Sequence, residues 1–127
     1  MDLEKTKAYY AALGPDDLCP CAYCQNYMRQ IRSTYPQVAK ALEALGVAAE
    51  KPFEAMPLEP NGDGTIFYLG PQYLVLGSRE GFQAMQASGV SIDFADSHPP
   101  VPLEEEHFVI ELSLIRLPWR EESPSVP

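Results

Sequence analysis

Three cysteines, Cys19, Cys21 and Cys24, fall within six residues, and the chain holds no others. Thiolates are nucleophiles, redox centres and soft metal ligands, so such a cluster invites three readings. In the first, the cysteines hold a structural zinc ion. Zinc takes four thiolate or imidazole ligands in a tetrahedron, and three cysteines leave one position for His98 or His107. In the second, Cys21-Ala22-Tyr23-Cys24 is the C-x-x-C of a thiol-disulfide oxidoreductase, with Cys21 attacking and Cys24 resolving. That chemistry usually follows a strand in a βαβ unit, whereas here a helix and Gly14-Pro15-Asp16-Asp17 come first. In the third, Cys21 and Cys24 are small buried hydrophobes on an apolar stripe. Cys19 is expected near the N-cap of a helix, Cys21 in its first turn and Cys24 a turn later. There the positive end of the helix dipole favours thiolate over thiol. A secreted disulfide scaffold would use an even number of cysteines spread along the chain, so that class is excluded.

Other residues offer weaker chemistry. His98 lies in the loop Asp96-Ser97-His98-Pro99-Pro100-Val101-Pro102, and His107 follows Glu104-Glu105-Glu106. Either could act as a general base beside a carboxylate, but no nucleophile, phosphate loop or metalloprotease spacing accompanies them. Three consecutive glutamates do not converge on one side, so Glu104 to Glu106 reads as a solvated charge run rather than a hard-cation site. Tyr9, Tyr10, Tyr23, Tyr27 and Tyr35 concentrate tyrosine in the first third of the chain, where some of the phenols are expected to bridge core and water rather than stack on a ligand.

The elements that must position these residues follow from periodicity. Lys5 to Leu13 reads as a first helix, ended by Gly14-Pro15. Cys21, Cys24, Tyr27, Met28, Ile31 and Tyr35 recur at three- and four-residue steps and predict a second, with Pro20 in its first turn. Pro36 opens a third helix, in which Val38, Leu42 and Leu45 share a face and Gly46 forms the C-terminal cap. Three prolines and Asn61-Gly62-Asp63-Gly64 then make an irregular stretch. Thr65 to Leu69 and Gln72 to Leu76 predict a β-hairpin across Gly70-Pro71, and Arg79 to Ala87 a short helix. Val90 to Ala95 and His107 to Leu117 read as strands, the latter with Phe108, Ile110, Leu112 and Leu114 on one face and Glu111 and Ser113 on a wetter one. The tail, residues 119–127, is expected to fray, with Trp119 able to pack back.

Helices first and strands afterwards predict a single α+β domain over residues 1–127, with a helical part at about 3–46 and a β-rich part at about 65–118. The N-terminal helices would pack on one face of a mainly antiparallel sheet. The net charge of −9 lies wholly in residues 52–127, where Arg79, Arg116 and Arg120 face twelve acids. No basic stripe exists to replace phosphate counterions, which excludes general nucleic-acid binding and attachment to anionic membranes. No apolar run approaches the roughly 20 residues of a membrane span, and Met1 to Lys5 lacks the apolar core of a secretory signal, so a cytoplasmic protein is expected.

Three segments carry a resemblance: Leu18-Cys19-Pro20-Cys21-Ala22-Tyr23-Cys24-Gln25-Asn26-Tyr27, the stretch from Glu50 to Pro60, and Glu104-Glu105-Glu106-His107-Phe108-Val109. Together they resemble a group of small bacterial proteins with a C-x-C-x-Y-C motif and no established function. The resemblance would cover most of residues 3–118 and implies a single bacterial domain without implying a mechanism. With a thiol cluster and no catalytic constellation, the leading expectation is a non-enzymatic cytoplasmic domain that binds a partner, whose helical part zinc could pin through Cys19, Cys21, Cys24 and His98 or His107. Two others stand beside it: an immunity- or antitoxin-like protein that neutralises a basic partner through its acidic half, and the thiol oxidoreductase. The tyrosines and the aliphatic second strand could equally build a homodimer interface.

Overall fold

The structure, a computed structural model, describes residues 1–121. Helix α1 (Leu3–Ala12) starts where the Asp2 side chain accepts from the Lys5 N–H, an N-cap that satisfies one orphan donor of the first turn. After a single 3-10 turn at Pro15–Asp17 come α2 (Ala22–Thr34) and α3 (Pro36–Glu43), divided at Pro36, whose missing N–H costs nothing at a first helical position. Gly46 ends α3 as expected. At φ 82° it lets the Val47 N–H reach the Leu42 carbonyl at 3.0 Å and its own N–H reach that of Glu43 at 2.9 Å.

Six strands follow: β1 (Thr65–Tyr68), β2 (Gln72–Leu76), β3 (Met85–Ala87), β4 (Val90–Phe94), β5 (His107–Leu112) and β6 (Ile115–Pro118). Helices at the N-terminus and antiparallel strands behind them make the α+β domain that the sequence predicts, with the strands divided between two sheets. One has the order β2-β5-β4-β3 and the other pairs β1 with β6.

Three local expectations are corrected. Thr65 to Leu69 and Gln72 to Leu76 do not pair with each other. Both pair with the segment from His107 to Pro118, and Thr65↔Pro118 and Leu76↔His107 belong to one continuous register. The ribbon they form bends where Leu69-Gly70-Pro71 faces Leu112-Ser113-Leu114, because proline cannot donate to the ladder and Gly70 lies so close to Glu111 that a Cβ would stand 3.0 Å from its carboxyl carbon. The bend also splits the expected His107 to Leu117 strand and moves the inward positions from Phe108, Ile110 and Leu112 to Ile115 and Leu117, which leaves Leu114 half exposed. Arg79 to Ala87 is not a helix. Its end is β3, joined to β4 through Ser88-Gly89, both at positive φ, which is a two-residue hairpin turn whose twist matches the strands.

β2 lies at an edge of the larger sheet, yet all five of its residues are buried. Helix α1 runs along that edge and supplies the missing partners from side chains one turn apart. Tyr10 Oη accepts from the Leu74 N–H and donates to the Leu74 carbonyl, and Thr6 Oγ1 accepts from the Leu76 N–H. Phe53 and Glu54 bond the remaining backbone groups at Gln72. Such cover prevents edge-to-edge association.

Tyr9, Tyr23 and Tyr35 are half-buried against the core as expected, whereas Tyr10 and Tyr27 lie inside it. Tyr27, Tyr68 and Tyr73 are fully buried and find partners inside. Tyr73 donates to the Ala49 carbonyl and lies 2.6 Å from the Tyr27 hydroxyl, while Tyr68 donates to the Tyr23 carbonyl and accepts from Asn26. The start of the tail packs back: the Trp119 ring lies 5.6 Å from that of Tyr23, and the Trp119 backbone N–H donates to the Gly64 carbonyl. Residues 122–127 of the tail lie outside the described residues.

Candidate metal centre

The chain reaches the cysteines through a tightly tied turn. Lys51 caps α1 by donating to the Tyr10 and Leu13 carbonyls, and the Asp17 carboxylate accepts from the Gly14 N–H at 2.9 Å. Cys19 precedes Pro20 and is thereby pushed toward extended backbone. Cys21 is the N-cap of α2, its sulfur accepting from the Cys24 N–H at 3.4 Å. The helix thus begins later than the sequence suggests. Pro20 and Cys19 stand before it, and Cys21 is its cap rather than part of its first turn. Gln25, one turn into α2, donates to the Cys19 carbonyl and holds the turn against the helix.

This geometry brings the three sulfurs together. All lie within 4.8 Å of one another, with Cys19 and Cys21 Sγ 3.2 Å apart. Zn–S bonds of about 2.3 Å at tetrahedral angles place sulfurs about 3.8 Å apart, so small side-chain rotations suffice to surround one ion. Cys19 and Cys21 are exposed and Cys24 is half-buried; none is in a disulfide. The packing reading is therefore corrected for Cys21, which lies outside the core, while Cys24 rests against it.

Their proton affinities diverge for local reasons. Hydrogen bonds with the Cys21 backbone and thiol hold the Cys19 thiol below its ordinary value, against partial burial and, least, the charge of Glu54. Burial, and then the neighbouring sulfurs, push Cys24 well up. Of the pair Cys19 and Cys24, the sulfur favoured as thiolate is Cys19, which stands outside the C-x-x-C. Three adjacent sulfurs cannot all ionise cheaply, and a divalent cation between them removes that obstacle.

Beside the cluster opens a cleft of about 160 Å³, lined by Cys19 and Cys24 on one side and by Pro52, Phe53 and Glu54 on the other. Met28 and Asp17 complete its polarizable and acidic parts. Glu54 reaches the cleft from 30 residues beyond Cys24, in an irregular stretch with no periodic signal to place it there.

The histidines are not in the cluster. His98 Nδ1 lies 2.8 Å from the carbonyl of Pro99, and His107 Nδ1 lies 2.7 Å from that of Glu105. Among the described residues, the group of convergent ligand atoms consists of Cys19, Cys21 and Cys24 alone. Glu104, Glu105 and Glu106 are exposed, and Lys5 approaches Glu105 at 3.9 Å. Among those residues, too, no helix is long and apolar enough to cross a membrane. Comparison with family models, with curated proteins and with solved structures returns no match.

Proposed function

We propose that this protein is a cytoplasmic binding domain, not an enzyme, that holds a zinc ion through Cys19, Cys21 and Cys24. The observation that carries the reading is the convergence of three sulfurs within 4.8 Å on a turn tied at both ends. Thiolate donors select zinc and other thiophilic cations over magnesium or calcium, which take oxygen. Binding releases the thiol protons, so affinity rises with pH until the sulfurs are ionised. The general-base candidates His98 and His107 lie against neighbouring backbone carbonyls, which favours binding over catalysis.

Metal analysis of protein purified without chelator or histidine tag, combined with a native thiol count, tests this. About one zinc per chain is expected, with thiols that react only after chelation. Metal-free protein that takes up no zinc on titration would overturn the reading.

One observation favours a second reading, a domain that docks a protein partner. Leu69 and Leu114 are 54% and 50% exposed and stand one position beyond the Tyr68↔Ile115 pair, at the bend of the ribbon. An exposed apolar pair at a bend, on an acidic protein, suits a partner with apolar and basic contacts. Capture of such a partner from lysate should be lost on Leu69→Glu and weakened by salt; capture unaffected by either would sink it.

A further inference from the structure

We propose that Glu54 supplies the fourth ligand of the metal held by Cys19, Cys21 and Cys24, closing the tetrahedron from the opposite wall of the cleft. The inference rests on the metal-binding reading and adds to it a ligand from a distant part of the chain.

The cleft is lined by Cys19 and Cys24 together with Glu54, and the carboxylate, which stands outside the 4.8 Å group of sulfurs, meets them when the cleft closes on an ion. Backbone position is set by the sheet: the Gln72 N–H donates to the Glu54 carbonyl at 2.7 Å, and the Phe53 N–H donates to the Gln72 carbonyl at 2.7 Å. Side-chain direction is set by Met56, whose N–H donates to Glu54 Oε1 at 3.1 Å. Met56 holds φ 53°, a left-handed conformation unfavourable for a residue with a side chain, and the Leu69 N–H locks it there by donating to its carbonyl. With Oε1 engaged, Oε2 is the oxygen offered to the cation. A carboxylate oriented by a backbone N–H is the usual form of a ligating carboxylate.

Asp17, the other acid of the cleft, likewise has one oxygen engaged, by the Gly14 N–H within its own turn, and is the donor that the test separates from Glu54. Three thiolates and a carboxylate give the zinc site a net charge of −2. Partial exposure of the cysteines and the positive end of the 13-residue α2 stabilise that charge. The donor set suits a tetrahedral divalent ion better than copper(I), which prefers sulfur alone.

The consequence is mechanical. Cysteines from one six-residue segment clip nothing distant, whereas a bond to Glu54 ties the start of α2 to the strand edge at Gln72. Restraint of the unfolded chain grows with the length of the loop closed.

Zinc affinity, measured by competition with a chromophoric chelator on the full chain, tests the assignment with Glu54→Gln and Asp17→Asn. Glutamine keeps the carbonyl that accepts from Met56, so the fold is retained. Glu54→Gln should weaken binding by at least about tenfold, the loss typical of even an outer-sphere partner, and should cancel most of the zinc-induced rise in Tm. Asp17→Asn should stay within about twofold. Cobalt(II) as a spectroscopic substitute should keep its thiolate charge-transfer band in Glu54→Gln while its ligand-field bands shift. Equal affinity and equal ligand-field bands would overturn the role of Glu54 and leave the three-sulfur site standing. A wild-type chain that binds neither metal would overturn both.

Discussion

Cys24 and Tyr27 stand three residues apart on α2, and the polar clusters they belong to are built on opposite terms. The tyrosine cluster is sealed: Tyr27, Tyr68 and Tyr73 are fully buried, and their hydroxyls bond to one another, to Asn26 or to carbonyls of the same chain. The cysteine cluster is open: two of its three thiols face solvent, and the sulfurs meet chiefly each other. A buried, satisfied network specifies one packing of helix on sheet, because any other arrangement strands a hydroxyl in a dry interior. An exposed set of like groups specifies little about the fold and keeps its lone pairs for a ligand. The difference of one helical turn separates stability from chemistry.

The most severe way to break the comparison is alkali. Burial raises the phenol of Tyr68 to about 12, and those of Tyr10, Tyr27 and Tyr73 higher, from an ordinary 10.0. Between pH 10 and 12 the unfolded chain gives up phenolic protons that the folded chain keeps, so stability is intact below pH 10 and falls as pH rises. The slope should reach about 1.4 kcal/mol per pH unit for each phenol still protonated when folded. Loss of Tm should therefore coincide with the part of the phenolate absorbance change that belongs to the four buried tyrosines; the full seven-tyrosine change in protein that stays folded would refute the sealed network.

Tyr27→Ala comes next. It removes a ring packed 4.9 Å from that of Tyr68 and should lower stability by about 3–5 kcal/mol in urea unfolding. Tyr73→Phe is smaller, because packing stays and only the hydroxyl that serves Ala49 and Tyr27 is lost. About 1–3 kcal/mol is expected, and a change under about 0.5 kcal/mol would show that water replaces it. The smallest effect belongs to the other cluster. In metal-free protein, Cys21→Ser should leave stability within about 0.5 kcal/mol or raise it slightly, since a serine oxygen is a better acceptor than sulfur for the Cys24 N–H. The same variant should lose zinc. A metal-free Cys21→Ser that melts much lower would place the thiols on the structural side of the comparison.

What could be read along the chain was local. The three helices, the cap at Gly46 and the β-character of residues 65–69, 72–76, 90–95 and 107–117 follow from periodicity and turn chemistry, and the structure shows them with modest shifts in their ends. Alternation within a strand does not encode its partner, so the expected hairpin at Gly70-Pro71 proved to be one side of a bent ribbon. A glycine after an ambiguous apolar run looks alike at a helix end and in a hairpin, so Arg79 to Ala87 reads as a helix where the structure has β3 and the Ser88-Gly89 turn. Among the site residues, the cysteines were legible because they are sequence neighbours. The histidines were assigned by ligand type alone, and the structure holds them outside the sulfur group.

The sequence by itself determined the α+β order, the apolar faces of α2 and α3, and a cluster of three thiols at the start of a helix, since all of these arise from residues close along the chain. Tertiary structure decided the rest. It set the edge of β2 beneath Thr6 and Tyr10, folded the phenols inward onto one another, and brought Glu54 across a cleft from Cys19. Each of those depends on which distant groups become neighbours, and that is governed by how the whole chain buries its apolar surface while leaving few polar atoms unpaired.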